Sequence, residues 1–567
     1  MSSRSDSRFD YVIVGAGSAG CVLAARLSEA PENRVLLLEA GPRDWNPMIH
    51  MPTGEIFMVG SSVDWQFRSE PEARLGDYQV PLPRGRVLGG SSSINGQVYC
   101  RGHHRDYDEW RQLGNEGWDW ESVLPYFRKA ERWKGGADHL RGGDGPLQTA
   151  YGRYRMGLFD AFIAAGKEAG YPYNADYNGA EQEGFVYTQY THMHRFPVRC
   201  SAARAYLWPA MKRKNLTVWT GARALRLIFE GGRATGVEVE RKGRRLKATA
   251  LREVILSAGA YQSPQLLMLS GVGDRAELNR HNIDCHHVLP GVGKNLQDHV
   301  GSYVQHRCLK PVTYYNLKNP LKLAGAIASY VFAGQGPLSV FPMNAMAFLK
   351  SHPALERPDI QYYLVPNAMN PNGSESYFPS YHGYNIHWCG LRPQSRGSVS
   401  LRSSNPADPP KVVHNYLATK ADQVLNRYAF RLARELHKQP AFDLYRGEEV
   451  DPGPDCTTDA DIDAFMAKFV SSHYHPVGTC KMGQDDNAVV DAELRVHGLE
   501  GLRVIDASVM PLLVGANTNA PTIMIGEKGA DMILSKKAKA TQSARTPARS
   551  QLLPAEENPV FISQPIG

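Results

Sequence analysis

The sequence of 567 residues contains no long hydrophobic run. No stretch reaches the roughly 18 consecutive apolar residues that a membrane-spanning helix needs. The first ten residues are polar and lack the apolar centre of a signal peptide. We therefore expect neither a transmembrane helix nor a secretory leader.

Cysteine is also scarce. The 8 cysteines are dispersed and form no C-x-x-C motif, so the sequence has neither a disulfide framework nor the ligand spacing of a zinc site. His473 and His475 stand two residues apart, but no third ligand is spaced to join them. We expect reduced thiols in a cytoplasmic protein and no metal site.

Charge of one sign is not concentrated anywhere. Lys and Arg number 64 against 57 Asp and Glu, and the net charge of +7 is scattered, so we expect no nucleic-acid partner. The absence of a G-x-S-x-G motif disfavours an α/β-hydrolase.

Residues 299–355 lack Asp and Glu, and 321–333 within them are mostly apolar. This segment is compatible with a lid or channel wall, with a surface resting on a membrane, or with plain core.

What the sequence does contain begins with D-Y-V-I-V-G-A-G-S-A-G at residues 10–20. The pattern predicts a buried strand over 11–14, a helix over 21–27 and a second buried strand over 35–38. A strand, a glycine-rich turn and a helix in this order are typical of a dinucleotide-binding unit.

The glycines of this turn have separate tasks. Gly15 permits the tight turn, Gly17 lets the backbone approach a pyrophosphate, and Gly20 lets the helix pack closely on the strand. The start of the helix would present free N–H groups to the phosphates. Glu39 ends the second strand and would accept hydrogen bonds from the ribose hydroxyls, which argues against a 2′-phosphate.

Further segments have clear local patterns. The glycine- and serine-rich block 84–98 predicts a loop whose backbone approaches a ligand, and 418–438 reads as a helix. Near the C-terminus, S-H-Y-H-P-V-G-T-C-K-M-G spans 472–483 and V-G-A-N-T-N-A-P-T spans 514–522. We also expect strands over 216–220, 224–229, 234–241, 254–257 and 502–505, and a final helix over 523–534.

These motifs together resemble the glucose–methanol–choline (GMC) flavin oxidoreductases, nearest to the choline dehydrogenase-like alcohol dehydrogenases. The most specific are G-R-V-L-G-G-S-S-S-I-N at 85–95, G-A-Y-Q-S-P-Q-L-L-M-L-S-G-V-G at 259–273 and G-V-G-K-N-L-Q-D-H at 291–299. The resemblance runs from residue 10 to about 535. It implies FAD, and an α/β fold in which a Rossmann-like FAD-binding domain carries a discontinuous α+β substrate-binding domain built on an antiparallel sheet.

The resemblance implies interleaved domains. We expect the FAD-binding domain to combine 1–150, 200–310 and 470–536, and the substrate-binding domain to combine 151–199 and 311–469. The polar segment 537–567 reads as a disordered tail.

The resemblance also implies the site residues. His475, before P-x-G, would be the base that removes the hydroxyl proton while hydride passes to flavin N5, and Asn519 would be its partner. The predicted cofactor residues are Gly15, Gly17, Ser18, Ala19, Gly20, Glu39, Ala40, Trp65, Gly90, Asn95, Gly96, Val98, Ala222, Tyr474, Asp506, Ala507 and Ala520.

Two departures from the family pattern carry expectations of their own. Ile94 stands where covalent members have a histidine, so we expect non-covalent FAD. The stretch 337–349 contains no acid to meet a quaternary cation, so we expect a neutral, rather apolar primary alcohol.

Electrons would pass to a quinone or to O2. We expect a cytoplasmic location, with peripheral contact at the inner membrane left open. The alternatives are a non-redox enzyme on the same fold, namely a hydroxynitrile lyase or a flavin photodecarboxylase, and a protein that holds FAD only structurally.

Overall fold

The computed structural model describes residues 7–369 and 381–545. Its helices are α1 (Ser18–Leu27), α2 (Pro47–His50), α3 (His104–Gln112), α4 (Trp120–Ala130), α5 (Gly157–Glu168), α6 (Trp208–Ala210), α7 (Gly259–Leu269), α8 (Arg275–Arg280), α9 (Pro320–Ala328), α10 (Lys420–Lys438), α11 (Asp459–Phe469) and α12 (Asn519–Arg545).

The strands are β1 (Ser7–Val14), β2 (Val35–Leu38), β3 (Phe67–Arg68), β4 (Pro81–Leu82), β5 (Glu131–Trp133), β6 (Leu147–Tyr151), β7 (Gly184–Tyr187), β8 (Gln189–Tyr190), β9 (Leu216–Trp219), β10 (Ala222–Glu230), β11 (Arg233–Arg241), β12 (Arg244–Leu256), β13 (Val272–Gly273), β14 (His287–Val288), β15 (Val300–Gly301), β16 (Tyr303–Cys308), β17 (Ala345–Leu349), β18 (Ile360–Val365), β19 (Gly383–Gly390), β20 (Ser398–Ser400), β21 (Lys411–Val413), β22 (Arg446–Asp451), β23 (Ser471–Ser472) and β24 (Leu502–Val504).

The first sheet has the order β10-β11-β12-β1-β2-β9, and β24 also pairs with β12. The pairs around β1 are parallel, whereas β10, β11 and β12 form an antiparallel meander. Strand β2 is buried throughout, as are the last four residues of β1, which is typical of a parallel sheet covered on both faces. This sheet confirms the Rossmann-like part of the expected fold.

The second sheet is antiparallel and has the order β22-β16-β19-β18-β17-β7. The short strands β15 and β23 join it beside β19. Helix α10 packs on this sheet with its apolar stripe, which includes Phe430, Ala433 and Leu436. The sheet confirms the expected antiparallel second unit and leaves one face toward the first sheet's loops.

One strand pairing and one helix differ from the predicted boundaries. Strands β15 and β16 fall inside 200–310, which was predicted for the first unit, yet they pair in the second sheet. Helix α12 continues to Arg545, so the predicted tail is wrong over 537–545. Residues 546–567 lie outside the described residues, and the division into two domains otherwise stays a prediction.

The N-terminal and C-terminal helices of the first unit pack against each other. Arg26 of α1 binds Glu527 of α12 through two hydrogen bonds of 2.8 Å, and Tyr206 donates to the same carboxylate at 2.9 Å. Gly526 lies so close to α1 that a Cβ there would sit 3.1 Å from Cα of Ala19. Helix α12, the last described element, therefore packs directly against α1, the helix that follows the glycine turn.

No helix in residues 7–369 or 381–545 is long and apolar enough to cross a membrane.

Candidate active site

A cavity of about 1390 Å3 runs between the two sheets. Its walls include the ends of β1 and β2 on one side and residues of β18 and β19 on the other. Ligand pockets for single small molecules usually measure about 300–1,000 Å3, so this cavity has room for a large cofactor together with a substrate. Binding at the carboxyl ends of parallel strands is the rule for α/β sheets.

The glycine turn after β1 forms a cradle into which no side chain fits. Gly15 has φ +98°, and a Cβ on it would lie 2.4 Å from the carbonyl oxygen of Ser257. A Cβ on Gly90 would lie 2.7 Å from Cα of Gly17. A Cβ on Gly20 would meet the Gly15 carbonyl oxygen at 1.9 Å, which is the close helix–strand packing expected of it.

Glu39 is buried at the end of β2 and is held by the backbone. Its Oε2 accepts from the N–H of Ala16 at 3.0 Å, and its Oε1 accepts from the N–H of Gly41 at 2.8 Å. Burial raises the pKa of Glu39 to about 7, against the opposing effect of these N–H donors. The carboxylate lines the cavity beside the glycine cradle, which fits hydrogen bonding to ribose hydroxyls.

Two helix N-termini meet at the same end of the cavity. Helix α1 starts after Gly17, whose position supplies no side-chain cap. The Ser18 hydroxyl donates to Oδ1 of Asn519, the first residue of α12, at 2.7 Å. Uncapped N–H groups and the positive ends of helix dipoles suit a pyrophosphate, so the residues present fit FAD.

The loop 84–98, predicted to face the flavin ring, is held by the buried side chain of Arg199. Arg199 donates from Nη1 to the backbone and side-chain oxygens of Asn95, at 2.6 and 2.8 Å. Ile94 is buried with Ile49, Met58 and Val87 in a small apolar cluster. The side chain at this position therefore offers no group for a covalent bond to a flavin.

All predicted cofactor residues line the cavity except Gly20 and Ala520, which are buried next to it. Trp65 stacks on Phe67 with ring centroids 5.7 Å apart, and the Arg86 guanidinium lies 5.3 Å from its ring. Their assignment as FAD contacts stays a prediction.

The backbone brings His475 to the cavity by pairing β15 with β23. Val300 faces Ser472 and Gly301 faces Ser471 in this pair, and the N–H of His473 donates to the carbonyl of His299 at 2.9 Å. Tyr474 then adopts a left-handed φ of 64°. This residue breaks the regular alternation of the strand and is followed by His475, whose backbone N–H donates to Asp298 Oδ1 at 2.7 Å.

The ring of His475 lies in a chain of hydrogen bonds that fixes its tautomer. His299 Nε2 faces the carbonyl oxygen of Leu391 at 3.1 Å, so this nitrogen carries the proton of a neutral ring. His299 Nδ1 is then an acceptor, and it lies 2.9 Å from His475 Nδ1. His475 must therefore donate from Nδ1, which makes its Nε2 the acceptor of the neutral ring.

The partner of this nitrogen is Asn517. Its Nδ2 lies 3.1 Å from His475 Nε2, and its Oδ1 faces the Tyr363 hydroxyl at 3.3 Å, which sets the amide orientation. Asn519, the predicted partner, instead bonds to Ser18, and no hydrogen bond joins it to His475 among the described residues. Asn519 nevertheless lines the same cavity, and its role in positioning the alcohol stays a prediction.

Burial keeps the histidines of this region neutral. Burial first, and the neighbouring His299 and His473 second, lower the pKa of His475 well below its usual range. Burial lowers the pKa of His299 to about 3 and that of His473 to about 4. His475 is therefore an unprotonated base at neutral pH. His473 has its Nε2 3.2 Å from the carbonyl oxygen of Trp388, in keeping with a packing role.

Comparison with known proteins decides the family. Models of GMC oxidoreductases match residues 9–301 and 393–526. The chain belongs to the GMC oxidoreductase family. An oxygen-dependent choline dehydrogenase of Vibrio vulnificus is 46% identical over 93% of this chain and 94% of its own length. The mitochondrial choline dehydrogenase of Mus musculus is 44% identical over 94% of this chain and 90% of its own.

Solved structures show the same family likeness. Pyridoxine 4-oxidase from Mesorbium loti superposes with a TM-score of 0.85 at 33% identity, covering 93% of this chain and 99% of that one. This GMC oxidoreductase is accordingly an FAD-dependent oxidoreductase that acts on an alcohol. Among the described residues, no group of three or more His, Cys, Asp or Glu could hold a metal ion.

Three residues of the site were not predicted from the sequence. Asn517 stands in the motif at 514–522, and His299 ends the motif at 291–299, but neither received a role. Arg84, whose Nη2 donates to the carbonyl of Tyr474 at 2.8 Å, fixes the turn before His475. Histidine at the end of one motif and two asparagines in another were signals available in the sequence.

Proposed function

We propose that this GMC oxidoreductase oxidises a primary, neutral and largely apolar alcohol to the aldehyde. The observation that carries the proposal is the 2.9 Å contact between the Nδ1 atoms of His475 and His299, from which the tautomer of His475 follows. His475 lines the cavity, and its Nε2, which accepts from Asn517 in this structure, would take the hydroxyl proton when an alcohol replaces Asn517 as its donor, because Nδ1 is engaged by His299. Bound FAD supplies the hydride acceptor in this chemistry.

Asn517 would position the alcohol. Its amide N–H, which now donates to His475 Nε2, lies where a hydroxyl bound between the two side chains would accept it. As the proton leaves, the same N–H would stabilise the negative charge that grows on the oxygen. Tyr363 and Gln361 hold the amide in this orientation through Oδ1, at 3.3 and 3.4 Å.

Apolar lining supports the substrate class. The cavity wall includes Phe341, Met343, Val365, Leu338 and Ile327, and 337–349 contain no carboxylate. The named choline dehydrogenases act on a charged alcohol, but this chain offers no acid in that stretch. A quaternary ammonium packed against 337–349 would receive no counter-charge from that stretch, whereas an alkyl or aryl chain gains from burial there.

The electron acceptor and location belong to the same proposal. Helix α9 and the following turn Ser329–Ala333 line the cavity at an exposed face, with Leu321 84% and Phe332 87% exposed. Lys318 and Lys322 flank these side chains, and no acid lies within 299–355. We infer a cytoplasmic protein whose apolar face touches the inner membrane and passes electrons to a quinone, with O2 as the other candidate acceptor.

Anaerobic stopped-flow absorbance tests the activity. The FAD-loaded protein is mixed with straight-chain and aromatic primary alcohols and with choline, then exposed to air. Bleaching of the flavin band by the neutral alcohols, faster than by choline, is expected, and it should fall about 100- to 10,000-fold in His475→Ala with its flavin content intact. Fast recovery in air would identify O2 as acceptor, and slow recovery a quinone. Failure of every alcohol to bleach the flavin would favour lyase or photochemical activity instead.

A further inference from the structure

Four groups around His475 form a chain of hydrogen bonds in which every donor points the same way. The Asn517 amide donates to Nε2 of His475 at 3.1 Å, and Nδ1 of His475 donates to Nδ1 of His299 at 2.9 Å. Nε2 of His299 then donates to the carbonyl oxygen of Leu391 at 3.1 Å. The chain of hydrogen bonds therefore begins at the loop before α12 and ends at the residue after β19.

The opposite arrangement of protons would inactivate the base. If His299 carried its proton on Nδ1, it would donate to Nδ1 of His475, and Nε2 of His475 would carry the other proton. That N–H group would then face the N–H group of Asn517, and the unprotonated Nε2 of His299 would face a second acceptor, the Leu391 carbonyl. The two ends of the chain thus keep His475 in the tautomer that can take a proton.

One buried carboxylate holds the segments that carry both ends. Asp106 is the third residue of α3, and its side chain is only 2% exposed. Its Oδ2 accepts from the backbone N–H of Gly515, two residues before Asn517, at 2.8 Å. Its Oδ1 lies 2.7 Å from Nη1 of Arg392, the residue that follows Leu391. A single side chain therefore joins the start of the hydrogen-bond chain to its end.

Arg392 depends on this carboxylate for its position. Its Nε and Nη2 atoms are buried without hydrogen-bond partners among the described residues, so the ion pair with Asp106 orients the guanidinium. The guanidinium also packs on the opposite segment, because a Cβ on Gly515 would lie 2.6 Å from its Nη2. Burial acts to raise the pKa of Asp106, but Arg392 and Arg357 hold this pKa below its usual value, so the carboxylate is ionised at neutral pH.

We propose that Asp106 is a positioning residue for alcohol oxidation, which holds both ends of the hydrogen-bond chain through Gly515 and Arg392 and so keeps His475 in its basic tautomer. Neither Asp106 nor Arg392 lines the cavity, so the carboxylate acts through other side chains and not on the alcohol. The inference rests on the proposed function, because it requires His475 to be the base.

Arg392 and Arg357 provide a matched pair for the test. Both bind Oδ1 of Asp106, and their side chains are 18% and 20% exposed, but no hydrogen bond joins Arg357 to Leu391 or Gly515 among the described residues. We expect Arg392→Met to slow flavin reduction at saturating alcohol about 10- to 100-fold, because small displacements of reacting groups cost this much, with the half-saturating alcohol concentration nearly unchanged. Arg357→Met removes an equal charge but releases neither segment, so its rate should stay close to that of the unmodified protein.

Conservative variants extend the test to both partners of the ion pair. Arg392→Lys keeps a cation beside Asp106 and should restore part of the rate. Asp106→Asn has one acceptor oxygen for two sets of donors, so it should release one segment and slow reduction about 10- to 100-fold. Flavin content and the oxidised flavin spectrum show which variants are folded and loaded, and the two Arg392 variants decide the question if Asp106→Asn does not fold.

Nitrogen-15 NMR of the oxidised, FAD-loaded protein with labelled histidine measures the tautomer independently of activity. The signals of His299 and His475 are assigned from their absence in the His299→Ala and His475→Ala variants. We expect His475 to carry its proton on Nδ1 in the unmodified protein and in Arg357→Met. Arg392→Met should add the form protonated on Nε2, because the Leu391 carbonyl no longer fixes the ring of His299.

A double-mutant cycle separates positioning from general destabilisation. If Arg392 acts through the hydrogen-bond chain, Arg392→Met should slow the His299→Ala protein much less than it slows the unmodified protein, since the chain is already broken there. Effects of the two substitutions that multiply would mean that Arg392 acts independently of His299, and would overturn the inference.

Three further results would also overturn the inference. These are an unchanged rate in Arg392→Met, an equal loss of rate in Arg357→Met, and a His475 ring in Arg392→Met that keeps its proton on Nδ1. Failure of every alcohol to bleach the flavin of the unmodified protein would instead reject the proposed function.

Discussion

The Nδ1 atoms of His299 and His475 lie 2.9 Å apart. One proton serves both nitrogens, and the carbonyl of Leu391 at the far side of His299 decides that His475 donates it. The carbonyl oxygen of Leu391, the residue after β19, thus determines which nitrogen of His475 is basic, because it fixes the tautomer of His299 and His299 in turn fixes that of His475.

This relay makes His299 a positioning residue. We expect His299→Ala to slow flavin reduction by alcohols about 10- to 100-fold, by analogy with the loss of a group that orients a metal-bound imidazole. KM should change little, because His299 is fully buried and does not line the cavity. Stopped-flow reduction at saturating alcohol measures the effect. His299→Asn, which offers an amide oxygen near the same place, should restore part of the rate. An unchanged rate in His299→Ala would contradict the relay.

Asn517 and Asn519 form a matched pair for mutation. Asn517→Ala should lower the rate of flavin reduction about 100-fold, since it removes the N–H donor beside His475. Asn519→Ala should instead weaken FAD retention with a smaller effect on the rate, because its Oδ1 binds Ser18 at the start of α1. Flavin content by absorbance and single-turnover rates distinguish the two. The reverse pattern would instead assign the positioning of the alcohol to Asn519.

The pH dependence of reduction follows from the lowered pKa of His475. The neutral ring is the active base, and a pKa well below 6.5 keeps it neutral as the pH falls through 6.5. The reduction rate should therefore hold nearly constant from about pH 8 to about pH 6 and decline only at lower pH. A stopped-flow series in mixed buffers checks this. A half-maximal rate near pH 6.5 would mean that the ring titrates as an exposed histidine does.

Non-covalent FAD is the fourth expectation. Ile94, buried at 4% exposure in an apolar cluster, offers no nucleophile to the cofactor. Acid precipitation of the loaded protein followed by filtration should place all flavin absorbance in the filtrate. Flavin that pellets with the chain would reveal a covalent bond to another residue.

Local pattern was enough to predict the cofactor half of the fold. Strand β2 coincides with the predicted 35–38, and the glycine turn lies where the motif indicates. Both are predictable because a short apolar strand and a tight turn depend on residues that are close together in the sequence. Helix α10 also agrees with the expected 418–438 to within two residues.

Long-range pairing was not predictable in the same way. The contact of His299 with His475 depends on β15 pairing with β23, which lie about 170 residues apart in the chain. The direction of Asn517 depends on where α12 begins, and Asp106 meets Gly515 across 409 positions of the chain. Single-sequence patterns do not specify which distant segments meet.

The hydrogen bond between Ser18 and Asn519 joins residues separated by 501 positions. An emerging polypeptide has its phosphate cradle early in synthesis, but the wall that closes it is translated near the end. We therefore expect a chain that ends before Asn519 to lack this wall of the cradle and to retain FAD less well than the full sequence does.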